Sequence, residues 1–287
     1  MPQATTIDPR TTLGTVRLVV ADLSTATRFY EQALGLRQLR RDGDIVALGV
    51  DGAALVELTG RPDAPRRPAP STGLFHLAIL VPSRLDLARA LHRLVGAGWR
   101  LSGASDHLVS EALYLRDPEG NGIEIYRDRP RERWYADGRV RMPTLPLDLD
   151  ALAREADPIP SGADGMPPDT RVGHVHLQVA DLAETEGFYR RILGFEVTVR
   201  DYPGALFFSA GGYHHHVGTN TWASAGAPAP PAGTAGLSSF DVMLSHADEV
   251  ERVAARAREA GVAATPVEGG VGIDDPSGIR LVLTASG

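Results

Sequence analysis

The chain has 287 residues, 43% of them hydrophobic, a formal net charge of −7 and no cysteine. That length fills one large domain or two ordinary ones, with apolar residues enough for a globular core. The absence of cysteine excludes disulfides, thiolate metal sites and cysteine nucleophiles. All 29 basic residues are arginine, which also excludes Schiff-base lysines and the phosphate-binding lysine of P-loops. The arginines are scattered rather than interleaved with aromatics, so nucleic acid is not an expected partner. The opening MPQATTIDPR has no charged region followed by an apolar stretch, and no apolar run reaches membrane-spanning length. A cytoplasmic location without membrane association is therefore expected. Demanding chemistry is left to His, Glu, Asp, Tyr and any metal ion they hold.

Taken in order, the chain repeats itself. Gly14–Leu23 (GTVRLVVADL), with Phe29-Tyr30 and Leu34-Gly35-Leu36 behind it, returns 159 residues later as Gly173–Leu182 (GHVHLQVADL), Phe188-Tyr189 and Leu193-Gly194-Phe195. Gly73-Leu74 is answered by Gly236-Leu237, and Asp117-Pro118-Glu119-Gly120 by Asp275-Pro276-Ser277-Gly278. Four matches at nearly one offset make the chain an internal duplication. Each copy divides again, giving modules near 14–60, 73–127, 173–222 and 236–285. Every module opens with a period-2 apolar strand such as Val16/Leu18/Val20 or Val175/Leu177/Val179. A helix follows, predicted from Ser24 as N-cap to Gly35 in the first module, over Leu85–Val95 in the second and over His246–Ala260 in the fourth. Three short strands complete each unit, so the module is βαβββ. The predicted domains are 10–128 and 171–287, joined by a Pro- and Arg-rich linker over 129–170 that is expected to drape over the surface.

The stretch Gly103–Asp128 reads as two strands joined by the turn Asp117–Gly122. In its last strand Ile123 and Ile125 share one face, Glu124 and Tyr126 the other. A carboxylate in the middle of an apolar strand is costly to bury unless a charge meets it. Aligning the modules places Thr15, His76, His174 and Ser239 at one position of the opening strand, and Glu124 and Val282 at one position of the last. A lone His opening a strand is ordinarily solvated or capped, and a lone Glu ordinarily wet. Here His76, His174 and Glu124 fall on matching positions that modules one and four have lost. Two imidazoles and a carboxylate form a facial triad of the kind found at non-haem Fe(II) sites.

The βαβββ modules, the HVxLxVxD opening strand and the DPxGNxIE turn resemble the vicinal oxygen chelate superfamily. The four-module plan with two His and one Glu resembles its type I extradiol dioxygenases, the catechol 2,3-dioxygenase group. The resemblance covers nearly the whole chain outside the linker. It implies an α+β fold of two half-barrels (the glyoxalase/bleomycin-resistance/dioxygenase fold) and Fe(II), with Mn(II) as the alternative ion, held by His76, His174 and Glu124. The implied substrates are a small aromatic diol and O2, and family members often form homo-oligomers. An acid/base histidine is implied in module three, within His214-His215-His216. Alternation puts His214 and His216 on one face and His215 on the other, leaving the choice open, although the alignment of Gly218 favours His215. The family tyrosine ten residues before the ligand glutamate corresponds to Tyr114, and the histidine supporting it to His107. Phe207, Phe208, Trp222 and Tyr202 lie near the module-three strands and could wall an aromatic pocket, but as bulky apolar residues they read rather as core.

One departure from the family constrains the architecture. Family ligands usually come from modules three and four; here they lie in two and three. The triad can assemble only if modules two and three share a half-barrel, with one and four forming the other. Two rivals remain within this fold. A glyoxalase-like isomerase or lyase would want a fourth side-chain ligand near Val217–Thr219, where no strong ligand stands, and a non-catalytic binding or resistance protein would not need the triad.

Overall fold

The computed structural model describes residues 6–156 and 165–286; residues 157–164 of the predicted linker lie outside the described residues. Module one consists of β1 (Thr12–Val20), α1 (Leu23–Gln32), β2 (Arg37–Asp42), β3 (Ile45–Val50) and β4 (Ala53–Gly60). Module two consists of β5 (Gly73–Leu80), α2 (Arg84–Gly96), β6 (Gly103–Asp106), β7 (Ser110–Arg116) and β8 (Gly122–Asp128). The connecting segment carries β9 (Tyr135–Ala136), β10 (Arg139–Val140), β11 (Leu145–Pro146) and α3 (Leu149–Arg154). Module three has β12 (Arg171–Gln178), then α4 (Leu182–Glu186) continued by a π-helical stretch over Gly187–Leu193, then β13 (Glu196–Val199), β14 (Ala205–Ser209) and β15 (Val217–Asn220). Module four has β16 (Gly236–Leu244), α5 (Ala247–Glu259), β17 (Ala264–Val267), β18 (Gly270–Asp274) and β19 (Arg280–Ala285).

The helix starts correct one expectation. α1 is capped by Asp22, whose carboxylate accepts from the Thr25 N–H, and not by Ser24. Asp181 does the same for Glu184 at the repeat position. The aspartate that closes each VxVADL-type strand is thus the helix cap, because an Asp accepts from the otherwise unpaired N–H three residues on.

The modules pair across the duplication, as the ligand positions require. One sheet runs β17-β18-β19-β16-β1-β4-β3-β2 and the other β11-β6-β7-β8-β5-β12-β15-β14-β13. In each, the opening strands of two modules meet antiparallel at the centre, β1 with β16 and β5 with β12. Alternation sends Leu77, Ile79, Ile123, Ile125, Val175 and Leu177 into the shared apolar core and leaves the opposite face of the second sheet free to form a site. None of the described helices is long and apolar enough to cross a membrane.

Within each copy a second device ties the sheets together. Tyr30 of α1 donates to Asp117 at 3.2 Å, and Tyr189 donates to Asp275 at 3.2 Å. Glu119 accepts from the Ala21 and Asp22 amides, and Ser277 from Ala180, at 2.9–3.0 Å. The repeated Phe-Tyr and Asp-Pro-x-Gly motifs are therefore the two halves of one clasp. Burial pushes the Asp275 carboxyl up to about 6, against its Tyr189, Ser277 and Ile279 hydrogen bonds. A folded value above the unfolded one means stability is fully present below about pH 4 and is lost as pH rises through about 6. The expected outcome is that Asp275→Asn gains on the wild type by about 3 kcal/mol between pH 4 and pH 7. Urea midpoints measured across that range read the difference; a gap that does not change with pH would contradict it.

Candidate metal centre

The second sheet brings the predicted triad together. In register, Glu124 lies beside Ala78 and Ala78 beside His174, across β8, β5 and β12. His76 is two residues before Ala78 and so shares its face. His76 Nε2 and His174 Nε2 each lie 3.0 Å from Glu124 Oε2, and the three side chains form the one potential metal-binding cluster found among the described residues. All three are buried, Glu124 to 2% exposure.

Each histidine sits next to a break in the ladder. Pairing skips Gly173 on β12, just before His174, and Phe75 on β5, just before His76. A bulge re-aims the residue beside it, and here it turns Phe75 and His76 toward the same cavity. The first break needs glycine: a Cβ at Gly173 would stand 1.8 Å from the Tyr126 hydroxyl.

The donor set fits a divalent ion. Two donors about 2.1 Å from an ion and at right angles to each other are about 3 Å apart, which is the spacing here. The His76 Nε2 is buried and makes no aligned hydrogen bond although the carboxylate is close; its lone-pair direction is left for something else. Burial by itself would raise the Glu124 carboxyl, but the His174 and His76 imidazoles outweigh it and hold the carboxyl well below the usual range. Burial pushes His174 down. Both directions, an ionised Glu124 carboxylate and a His174 imidazole held toward its neutral form, favour binding of a metal ion.

The other predicted residues surround the triad. Tyr114 is directly opposite Glu124 on β7. Its hydroxyl lies 2.8 Å from His107 Nε2, while His107 Nδ1 lies 2.8 Å from the Pro143 carbonyl. A carbonyl only accepts, so His107 donates from Nδ1 to Pro143, and its Nε2 is placed to accept a hydrogen bond from the Tyr114 hydroxyl. Burial, with Glu124 nearby, keeps the Tyr114 phenol well above its usual range. His215 packs its ring 4.1 Å from that of His174 and lines the cavity. Burial pushes His215 well below its usual value. His214 turns instead to Asp128, and His216 to Ser209 and the Ala210 amide. The run precedes β15 rather than lying within it, so strand alternation was not what separated the three.

The cavity holds about 240 Å³. Phe75, Tyr202, Phe207 and Trp222 line it, together with Met142 and Thr144 from the connecting segment. Tyr202 and Trp222 are therefore cavity walls rather than core, Phe207 is a cavity wall that also belongs to a small buried cluster with Val199 and Ala205, and Phe208 is fully buried core. The segment 129–170 contributes buried Trp134 and Leu152 and adds β11 to the sheet edge at β6. Sequence reasoning also missed His176, which lines the cavity with its Nε2 buried and unpartnered. The H-x-H spacing carries that signal, since residues two apart on a strand share a face.

A curled sheet shared by two βαβββ units around clustered His and Glu side chains is the architecture of the vicinal oxygen chelate class. The Glyoxalase/Bleomycin resistance protein/Dioxygenase superfamily model matches residues 12–125 and 171–283, and the chain belongs to that superfamily. It is 42% identical over 278 residues to the catechol-2,3-dioxygenase of Bacillus subtilis (strain 168), covering 95% of this chain and 96% of that protein. Among solved structures, a Bacillus subtilis subsp. subtilis str. 168 protein aligns with TM-score 0.65 and 13% identity over 98% of this chain and 86% of that one. Glyoxalase I from Zea mays aligns with TM-score 0.60 and 17% identity over 96% and 92%. These two likenesses establish the fold.

Replacing Gly173 by alanine should force the Tyr126 hydroxyl away and tilt His174. The expected cost is about 1–3 kcal/mol of stability with weakened metal binding. Urea denaturation and metal content of the purified variant check both, and an unchanged variant would show that the close approach is dispensable.

Proposed function

We propose that this chain is an extradiol ring-cleaving dioxygenase that inserts O2 into a catechol-type diol and yields a hydroxymuconic semialdehyde-type product. The observation that carries the reading is the convergence of His76, His174 and Glu124 at the edge of an aromatic cavity that also holds Tyr114 and His215. The 42% identity to a catechol-2,3-dioxygenase over almost the whole of both chains supports it.

His76, His174 and Glu124 would hold Fe(II), or Mn(II), which the same donors suit. When bound, the ion would supply Lewis-acid chemistry to the diol and to its reaction with O2. The remaining work belongs to the chain. His215, kept neutral by burial, takes a diol proton and returns it later, a role suited to a neutral imidazole. Tyr114, which retains its proton and donates a hydrogen bond to His107, presents its oxygen to accept from a diol hydroxyl. The Phe75, Phe207, Tyr202 and Trp222 rings exclude water and favour a flat aromatic ring.

A metal isomerase is disfavoured by one position. The residue of module three in register with His176, as Glu124 is with Ala78, is Gly218, which donates nothing. His176 occupies the space instead, its Nδ1 standing 3.0 Å from where a Cβ of residue 218 would lie.

The wild-type protein should purify with about one iron per chain. His174→Ala should lose the metal and more than about 10³-fold of kcat/KM. Anaerobically iron-loaded protein given catechol and then air should turn yellow. A colourless mixture at full iron occupancy would leave an isomerase or a binding protein as the better account.

A further inference from the structure

Behind the cavity runs a part-buried chain of hydrogen bonds that the triad and its neighbours do not require. Asp128 is the last residue of β8 and, four residues beyond Glu124, shares its face with Glu124 and Tyr126. Its Oδ1 lies 2.8 Å from His214 Nε2 and accepts the Tyr213 hydroxyl at 3.2 Å. The Tyr126 hydroxyl is in turn 2.7 Å from that of Tyr213. On the other side His214 Nδ1 lies 2.8 Å from His215 Nδ1. Trp134 packs against the His214 ring at 5.0 Å between centroids, and His214 itself is fully buried.

We propose that Asp128 is a positioning residue that acts through His214 to fix the tautomer of His215, leaving a bare Nε2 toward the cavity. The donor and acceptor inventory leads there step by step. A carboxylate only accepts, so His214 carries its proton on Nε2. With that proton on Nε2 facing Asp128, the Nδ1 of His214 is the acceptor in the pair with His215. Two ring nitrogens 2.8 Å apart must share one proton, and His215 supplies it from Nδ1. The second nitrogen of His215 is therefore unprotonated, and it is the nitrogen left for the cavity that the ring lines. An imidazole in the opposite tautomer would meet a diol hydroxyl with an N–H and could not take its proton. Tyr213 and Tyr126 add a directional constraint: both hydroxyl protons run toward Asp128, which holds its carboxylate as an acceptor. Ring orientation is fixed at the same time, because His215 cannot rotate without breaking its bond to His214.

The consequence for turnover rests on the ring-cleavage reading, whereas the tautomer itself does not. The first test is therefore spectroscopic and needs no activity. Protein carrying 15N-histidine and loaded with zinc, with signals assigned through His215→Gln, should show His215 protonated on Nδ1 and bare on Nε2. An Nε2–H on His215 would overturn the proposal, whatever the reaction proves to be. In the iron-loaded enzyme Asp128→Asn, whose amide can turn an N–H toward His214 and reverse the chain, should lower kcat about 100-fold. KM and iron content should stay within about threefold of the wild type. Unchanged kcat in Asp128→Asn would overturn the assignment. In a His214→Phe background Asp128→Asn should cost nothing more, since both changes cut one chain; a further loss there would mean that Asp128 acts by another route. Should Asp128→Asn fail to fold, the wild-type spectrum still decides the question.

Discussion

A carboxylate held at 2% exposure in the middle of a sheet is the constraint on which this molecule turns. Glu124 is too deep to be hydrated, and burying an unpaired charge costs far more than any single contact returns. It must be met by positive charge or ligated. The other sheet has the same problem and a different solution. There Asp241 and Glu57 are both partnered by Arg17, across β16, β1 and β4. Arg17 is the repeat counterpart of His176, and Asp241 of Ala78. One half-barrel thus carries its cation as a guanidinium fixed in the chain, and the other, on the proposed reading, receives one as an ion.

The two-way stitching of the fold explains why such divergence was tolerated. Sheets form between the copies, with β1 on β16 and β5 on β12, while the tyrosine–aspartate clasps act within each copy. Each module is therefore held twice, by strand pairing to a module of the other copy and by a side-chain clasp to its own partner. Loss of ligands from modules one and four leaves both kinds of contact intact. The connecting segment joins this arrangement at the site itself: the Pro143 carbonyl sets His107, and Met142 and Thr144 close the cavity. A segment that must reach from one copy to the next passes over the mouth of the shared sheet and becomes part of the wall.

The duplication, the modules, their cross-pairing and the triad were legible because each rests on spacing, and spacing is written in the chain. The cavity walls were not. Phe207 and Phe208 are neighbours of the same type on β14, so alternation sends one to each face; nothing in that stretch itself says which face is the cavity and which the core. Strand alternation failed at Phe75 and Gly173 because each is an unpaired residue in the ladder, and a bulge shifts the face of everything beyond it. It also had no purchase on His214–His216, which lie outside any strand. Asp128 escaped notice because its partner is 86 residues away and no local pattern announces it.

What the centre can do is decided as much by residues that donate nothing as by those that do. Ala78 stands in the row between Glu124 and His174, and its methyl leaves the space above it open. Gly218 withholds the fourth carboxylate, and the face it vacates is taken by an imidazole that lies outside the triad. In the other sheet the corresponding positions are Asp241 and Glu57, and with Arg17 they fill that volume. The difference between a sheet that can hold an ion with open positions and one that is closed by a salt bridge therefore lies in two small side chains. On the proposed reading, the large side chains supply affinity for a metal, while alanine and glycine keep the room for a diol and O2 beside it.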